Sequence, residues 1–233
     1  MDIKVLGSGS SGNCYRVSDG KTSLLLDAGL SIKRIKQGLD FLLHDIDGVL
    51  ITHEHLDHAK AVNDLVKCGI DVYMSAGTRS ALTIEHHRAK TIKSMVVFTI
   101  GSFRISAFDL VHDAKEPTGF LMYSMTTQES LLYMTDTMYC KHRFKNLTYM
   151  LIEMNFDYNI ARNNVMNREL NSGLAHRIYN NHMSKEAALE FIKINKSVFL
   201  KEIYLLHLSD GNSDAQAFKK AVQALTGVRV YVA

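Results

Sequence analysis

The chain has 233 residues, 46% of them hydrophobic, and carries 27 Lys and Arg against 24 Asp and Glu, a formal charge of +3. That length suits one large core, while the charge is too small to establish nucleic-acid binding and only leaves room for a basic face beside an acidic cleft. No apolar stretch approaches the roughly 18–20 residues that span a bilayer and no charged-then-apolar leader opens the chain, so a cytoplasmic protein without membrane contact is expected. In chain order, strands are predicted at Ile3–Leu6, Asn13–Val17 and Leu24–Asp27, then a helix from Ser31 to about Gly38 and a strand at Val49–Thr52. A helix follows over about His58–Lys67, where Ala61, Val62, Leu65 and Val66 share one face. Next come a strand at Val72–Met74, a helix from about Thr78 to His87, and the alternating run Phe103–Val111. Hairpin strands at Phe120–Met125 and Leu131–Met134, a strand at Met150–Glu153, and a helix capped by Ser184 open the second half. Ile203–His207, a helix from about Ser213 to Leu225, and Val228–Val232 close the chain. Two sheets packed face to face, with helices on both outer faces, are the expected architecture.

Nothing marks an internal boundary. Pro117 is the single proline, and there is no linker composition, charge block or repeat, so one domain over 1–233 is predicted. Cys14, Cys68 and Cys140 are odd in number and lack metal-type spacing, which predicts incidental thiols without disulfides.

The most informative stretch is His53-Glu54-His55-Leu56-Asp57-His58, directly after the apolar run Gly48–Thr52. His53 and His55 lie two apart and can aim at one ion, while Asp57 and His58 begin the next helix and can reach a second. Two neighbouring ions point to hydrolysis. Asp27, His112, Asp136 and His207 also end apolar runs, after Leu24–Leu26, Phe103–Val111, Leu131–Thr135 and Ile203–Leu206 in turn.

His-x-His-x-Asp-His after a strand, followed by single downstream ligands, resembles the metallo-β-lactamase superfamily, and the likeness covers nearly the whole chain. It implies an α+β fold, a four-layer αββα metallo-β-lactamase-like sandwich. It also implies that His53, His55 and His112 hold one ion, that Asp57, His58 and His207 hold the other, and that Asp136 bridges them, with Asp27 bracing the site without binding metal. Nitrogen and carboxylate donors without thiolate favour zinc or manganese for the two divalent ions. With the ions roughly 3.5–4 Å apart, a bridging water would lose its proton near neutral pH and become the nucleophile.

The superfamily hosts many reactions, so the surroundings must discriminate. Gly7–Asn13, Asp27-Ala28-Gly29-Leu30-Ser31, the His112 context Val111–Phe120, Leu151–Asn155 with Asp157-Tyr158-Asn159 behind it, and His207–Ser213 are similar to the YycJ/WalJ-type exonuclease branch and, more distantly, to RNase Z. In those phosphodiesterases an element like Asn181-His182-Met183-Ser184 faces the scissile phosphate opposite the nucleophile, so His182 is expected to protonate the departing oxygen. Glu153 either supports His182 through a hydrogen bond or bonds local backbone. Asp57, His182 and Glu153 are thus the expected catalytic residues. Ser8–Gly12 reads equally as an anion-binding nest of N–H groups or a tight turn. Arg162, Arg168 and Arg177 read as a solvated helical face or a nucleic-acid rim. His44, His86, His87, His142 and His176 fall outside the ligand pattern.

The leading expectation is a dinuclear metal-dependent phosphodiesterase, an exonuclease on DNA in preference to RNA. The alternatives are a cyclic-nucleotide or other small-molecule phosphodiesterase, and a non-catalytic metal-binding scaffold.

Overall fold

Each apolar run that reads as a strand forms one, and the connections decide where the strand ends point. The computed structural model describes residues 1–233, which fall into two compact units. One comprises Met1–Asp109 and Ala114–Glu129, the other Leu110–Asp113 and Ser130–Ala233.

In the first unit, β1 (Asp2–Gly7), β2 (Cys14–Ser18) and β3 (Ser23–Leu26) form an antiparallel meander. β4 (Gly48–Leu50), β5 (Val72–Met74) and β6 (Ala89–Thr91) extend it in parallel, giving a six-stranded sheet in sequence order. Parallel neighbours require crossovers, which α1 (Ile32–Gly38), α2 (Leu56–Ala59), α3 (Val62–Lys67) and α4 (Ala76–Ala81) supply. Ser31 caps α1 by accepting from the Arg34 N–H. Leu25, Ile35, Val49, Ile51, Leu65 and Val72 lie in one buried apolar cluster. β7 (Val97–Ile100), β8 (Phe103–Asp109) and β9 (Thr118–Ser124) add an antiparallel meander.

Two predicted helices are corrected. The single helix expected over His58–Lys67 is broken between α2 and α3, because Ala28 takes the hydrogen bonds that would continue it. Its N–H donates to the His58 carbonyl at 2.7 Å and its carbonyl accepts from the Ala61 N–H at 2.9 Å. The helix expected over Thr78–His87 ends at Ala81, since Thr83 adopts a φ of +53° and the chain turns to deliver β6 beside β5. β6 and β7 themselves escape the sequence pattern: β6 has only three residues, and in β7 the apolar Val97 is exposed.

Asp19, in the turn between β2 and β3, is a buried carboxylate that ties separate strands of this unit together. It accepts from the Ser102 and Ser124 hydroxyls, each at 2.6 Å, and from the N–H groups of Lys21 and Thr22. Burial opposes its charge, but these hydrogen bonds outweigh that and hold the carboxyl well below the usual carboxylate range.

In the second unit, β10 (Ser130–Met134), β11 (Tyr149–Glu153), β12 (Glu202–Leu206) and β13 (Arg229–Val232) pair in that order, all parallel. β11 is buried throughout, so its apolar run carries no alternation. Four helices connect the strands: α5 (Tyr158–Met166), α6 (Ser172–Asn181), α7 (Lys185–Asn195) and α8 (Ala215–Thr226). Asp157, Asn171, Ser184 and Asp214 cap them in turn. α5 and α6 close over Phe156, Ala161, Leu170 and Ala175. No helix is long and apolar enough to cross a membrane.

Because the Asp19 carboxyl is depressed in the folded state, its contribution is complete above the unfolded value of about 3.9 and is lost as pH falls from there towards the folded value. Asp19→Asn should therefore cost about 1–3 kcal/mol at neutral pH, with the gap to wild type closing in acid. Urea unfolding at the two pH values checks this, and equal neutral-pH midpoints would contradict it.

Candidate metal centre

Asp27 follows β3 immediately, fully buried and with a φ of +56°. Its Oδ1 accepts the Thr52 N–H at 2.8 Å, and the Thr52 hydroxyl lies 3.0 Å from both carboxylate oxygens. Its Oδ2 lies 2.7 Å from His58 Nδ1, and Thr52 Oγ1 lies 3.0 Å from His53 Nδ1. Hydrogen-bond chemistry then assigns the protons. A carboxylate only accepts, so His58 carries its proton on Nδ1. The Thr52 hydroxyl spends its one proton on Asp27, so its oxygen accepts from His53 Nδ1. Both rings therefore present Nε2 as a lone pair, and the Asn13 side-chain amide 3.0 Å from His58 Nε2 fits that assignment. The His53 ring centroid lies 4.2 Å from that of His58 and 4.7 Å from that of His55, and Asp57 Oδ2 is 3.4 Å from His58 Nε2.

The loop before β2 belongs to this arrangement. The Asn13 N–H donates to the Asp57 carbonyl at 2.7 Å, and the Gly29 N–H donates to the Asn13 carbonyl at 2.9 Å. A Cβ on Gly29 would sit 1.7 Å from the Asp57 carbonyl oxygen, so only glycine lets the two loops touch. Of the two readings of Ser8–Gly12, the turn has the direct support: the Gly9 N–H is used on Asn13 Oδ1 and the Gly12 N–H on the Gly9 carbonyl.

In the second unit, β10, β11 and β12 run parallel in register, with Met134 opposite Ile152 and Glu153 opposite Leu206. Their C-terminal ends therefore deliver Asp136, Glu153 and His207 to one edge. Asp136 and His207 both adopt positive φ, +45° and +53°. His207 Nδ1 lies 3.2 Å from Glu153 Oε1 and 3.5 Å from Asp136 Oδ1. His182, which terminates α6, places Nδ1 2.6 Å from Glu153 Oε1. Both readings of Glu153 hold, since its Oε2 also accepts the backbone N–H groups of Thr137 and Met183, each at 3.0 Å. His112 donates from Nδ1 to the Asn181 carbonyl at 3.0 Å and sets Nε2 3.8 Å from Asp136 Oδ2. Ligand-type atoms of Asp136, Glu153, His182 and His207 all lie within 4.8 Å of one another.

The electrostatics follow from burial and partners. Burial draws the His112 pKa down, and the raising effect of Asp136 does not restore it, so the ring favours the neutral form that offers a lone pair. Burial also acts to lower His182, but the charge and hydrogen bond of Glu153 prevail and its pKa lies above the ordinary histidine value. Burial opposes ionisation of Glu153, yet His182 and His207 outweigh it and the carboxyl stays below its usual range.

Each unit thus brings its own predicted residues together: Asp27, His53, His55, Asp57 and His58 in the first, His112, Asp136, Glu153, His182 and His207 in the second. Imidazoles and carboxylates are donors that suit a divalent ion, and the rings are oriented at Nδ1, His58 and His182 by a carboxylate, His112 by a carbonyl and His53 by the Thr52 hydroxyl. Thiolate does not contribute, since burial first and Asp27 second push the Cys14 thiol far up. The supporting roles of Thr52, Asn13 and Asn155 were not legible beforehand. Asn155 donates to the His207 carbonyl at 2.7 Å, and a lone asparagine after a strand carries no signal of such a task. Arg162, Arg168 and Arg177 are all exposed, and Arg177 pairs with Asp113 next to His112.

The sequence model of the Beta-lactamase superfamily domain matches residues 22–207, running through both units. Exodeoxyribonuclease WalJ of Streptococcus pneumoniae is 34% identical over 224 residues, 90% of this chain and 82% of that protein. Exodeoxyribonuclease YycJ of Bacillus anthracis is 28% identical over 95% of this chain and 88% of that one. Among solved structures, the metallo-β-lactamase fold protein YhfI of Bacillus subtilis superposes with a TM-score of 0.71 at 16% identity, covering 99% of this chain and 95% of that one. The short form of human tRNase Z gives 0.66 at 16% identity, covering 100% and 96%. The α+β metallo-β-lactamase-like sandwich expected from the sequence is accordingly the fold of this chain.

Asp27→Asn keeps the side-chain shape and tolerates the left-handed backbone but removes the charge that sets two imidazoles. It should weaken zinc binding about 10–100-fold in a competition titration against a chromophoric chelator, with the circular dichroism spectrum retained. Undiminished affinity would show that Asp27 does not orient the donors.

Proposed function

The chain belongs to the beta-lactamase superfamily and is a metal-dependent hydrolase, and we propose that it cleaves phosphodiester bonds as an exonuclease acting on DNA. The observation that carries this reading is the His182–Glu153 pair, at 2.6 Å, set among Asp136, His112 and His207. The alkoxide leaving a phosphodiester is a poor leaving group that benefits from a proton donor held beside it. The identity to exodeoxyribonucleases over most of the chain supports the same reading.

In this proposal His53, His55 and His112 would hold one divalent ion, Asp57, His58 and His207 the other, and Asp136 would be shared; zinc and manganese both suit the all-nitrogen-and-oxygen donors. When bound, such ions supply Lewis-acid stabilisation of the phosphoryl oxygens and lower the pKa of water. The chain's own residues orient and transfer protons. Asp27 and Thr52 keep the Nδ1 protons of His58 and His53 in place. Glu153 favours the charged form of His182 and holds one proton on Nδ1, leaving the Nε2 proton to be given up. Hydrolysis adds water across the P–O bond, and the departing oxygen takes its proton from His182 Nε2. Residues 1–233 act as one catalytic domain, an assignment supported by the family match that runs through both units. The cytoplasm, where such a DNA substrate would be met, is the proposed location.

Chelation should abolish hydrolysis of both bis-p-nitrophenyl phosphate and labelled oligodeoxynucleotide, and zinc or manganese should restore it. Asp57→Asn should remain inactive after the same reconstitution while folded by circular dichroism; full activity would refute the proposed centre. A second measurement isolates His182. p-Nitrophenolate leaves without a proton, so His182→Ala should slow DNA cleavage about 10²–10⁴-fold and slow the nitrophenyl ester far less. Equal loss on both substrates would remove His182 from the acid role.

A further inference from the structure

In the second unit a groove of about 340 Å³ lies between the segment Tyr139–Arg143 and α7. Both of its walls hang from Glu153. On one side the Met183 N–H donates to Glu153 Oε2, and Met183 lines the groove directly after His182. On the other, the Thr137 N–H donates to the same oxygen, and the Thr137 hydroxyl donates to the Tyr139 carbonyl at 2.8 Å. The far end is pinned by the Phe144 N–H, which donates at 2.7 Å to Oδ1 of the buried Asn195 on α7. The buried Phe191 and the half-exposed Ile194 give the groove an apolar lining, and Tyr139, also on the lining, has 48% of its surface exposed. Lys141 and Arg143 line the groove against a single acidic residue, Glu190.

An exposed aromatic ring, an apolar lining and an excess of cations are what a nucleotide requires: a face for the base, and positive charge for its phosphates. We propose that this groove seats the nucleotide adjoining the scissile phosphate of single-stranded DNA on the leaving-group side, with the base against Tyr139 and the next phosphate met by Arg143 and Lys141. The side is assigned from the shared anchor: His182, the proposed donor to the departing oxygen, and both walls of the groove are held by Glu153. This assignment rests on the phosphodiesterase reading and adds a specificity-determining surface to it. The groove and the acid share one carboxylate, so a seated nucleotide is referenced to the same group whose other oxygen holds the His182 Nδ1 proton.

The test uses the full chain and a fluorescein-labelled oligothymidylate. Tyr139→Ala and Arg143→Ala should each raise KM for the oligonucleotide about tenfold, in the range expected for one stacked base or one phosphate contact. Bis-p-nitrophenyl phosphate has no neighbouring nucleotide, so its kcat/KM should change far less. Unchanged oligonucleotide KM overturns the subsite, as does an equal loss on both substrates, which would mark the segment as structural. Fluorescence anisotropy of the oligonucleotide in the presence of chelator reads binding apart from cleavage. A Kd that Tyr139→Ala and Arg143→Ala leave unmoved rejects the groove whether or not the wild type cleaves DNA, while a wild type that binds but never cleaves rejects the phosphodiesterase reading alone. Weaker oligoribonucleotide than oligothymidylate binding is expected, and the reverse order would reject DNA as the occupant.

Discussion

Where a histidine carries its proton is decided in this protein by buried acceptors, and the metal chemistry depends on that decision. Asp27 accepts from His58 directly and from His53 through the Thr52 hydroxyl, so one carboxylate fixes two rings. Glu153 does the same for His182, and the Asn181 carbonyl for His112. In His53, His58 and His112 the held Nδ1 proton leaves one lone pair, on Nε2, and one direction in which to offer it, whereas in His182 the same hold on Nδ1 leaves Nε2 as the end that gives a proton up. Buried charge of this kind is expensive unless fully hydrogen-bonded, and both carboxylates are: each has donors on both oxygens.

The backbone contributes strain at the same places. Asp27, Asp136 and His207 each lie just beyond a strand with φ between +45° and +56°, a region that costs residues other than glycine about 1–3 kcal/mol. The strand neighbours hold them there: a parallel ladder ends at a common edge, and the turn out of it must aim the side chain across that edge instead of away from it. Gly29 serves the same end by contact, since its missing side chain lets the loop after β3 lie on the Asp57 carbonyl. The break between α2 and α3 belongs to this arrangement too, for Ala28 captures the backbone groups that a continuous helix would have used.

Many reactions share this fold, and the residues that narrow the choice lie away from the histidine motif. His182 terminates one helix just before Ser184 caps the next, and Glu153 ends a wholly buried strand. Their pairing gives the edge an imidazole held in one orientation with its charged form favoured, which is the feature on which the phosphodiesterase proposal is built. The same Glu153 carries the segment after Asp136, so the acid and the groove beside it share a support.

Much of this was legible in the residues themselves. Apolar runs ending in His, Asp or Glu marked the strands and their functional ends, because a buried parallel strand must be apolar and the chemistry can only begin where it stops. The donor types, the spacing of His53, His55, Asp57 and His58, and the cap at Ser184 are likewise local, and local patterns survive in one dimension. What the sequence could not supply was partnership at a distance. Asn13 reaching His58, Thr52 relaying between His53 and Asp27, and Glu153 dividing its oxygens between His182 and two backbone N–H groups join residues up to 45 apart or on separate strands. Helix ends were misjudged at Lys60 and Leu82 for the same reason, since competing hydrogen bonds and a left-handed turn overrode an intact helical pattern. The identity of the site residues is therefore a property of the chain, whereas their protonation, aim and support come from the tertiary structure, because only folding decides which donor meets which acceptor once water has been excluded.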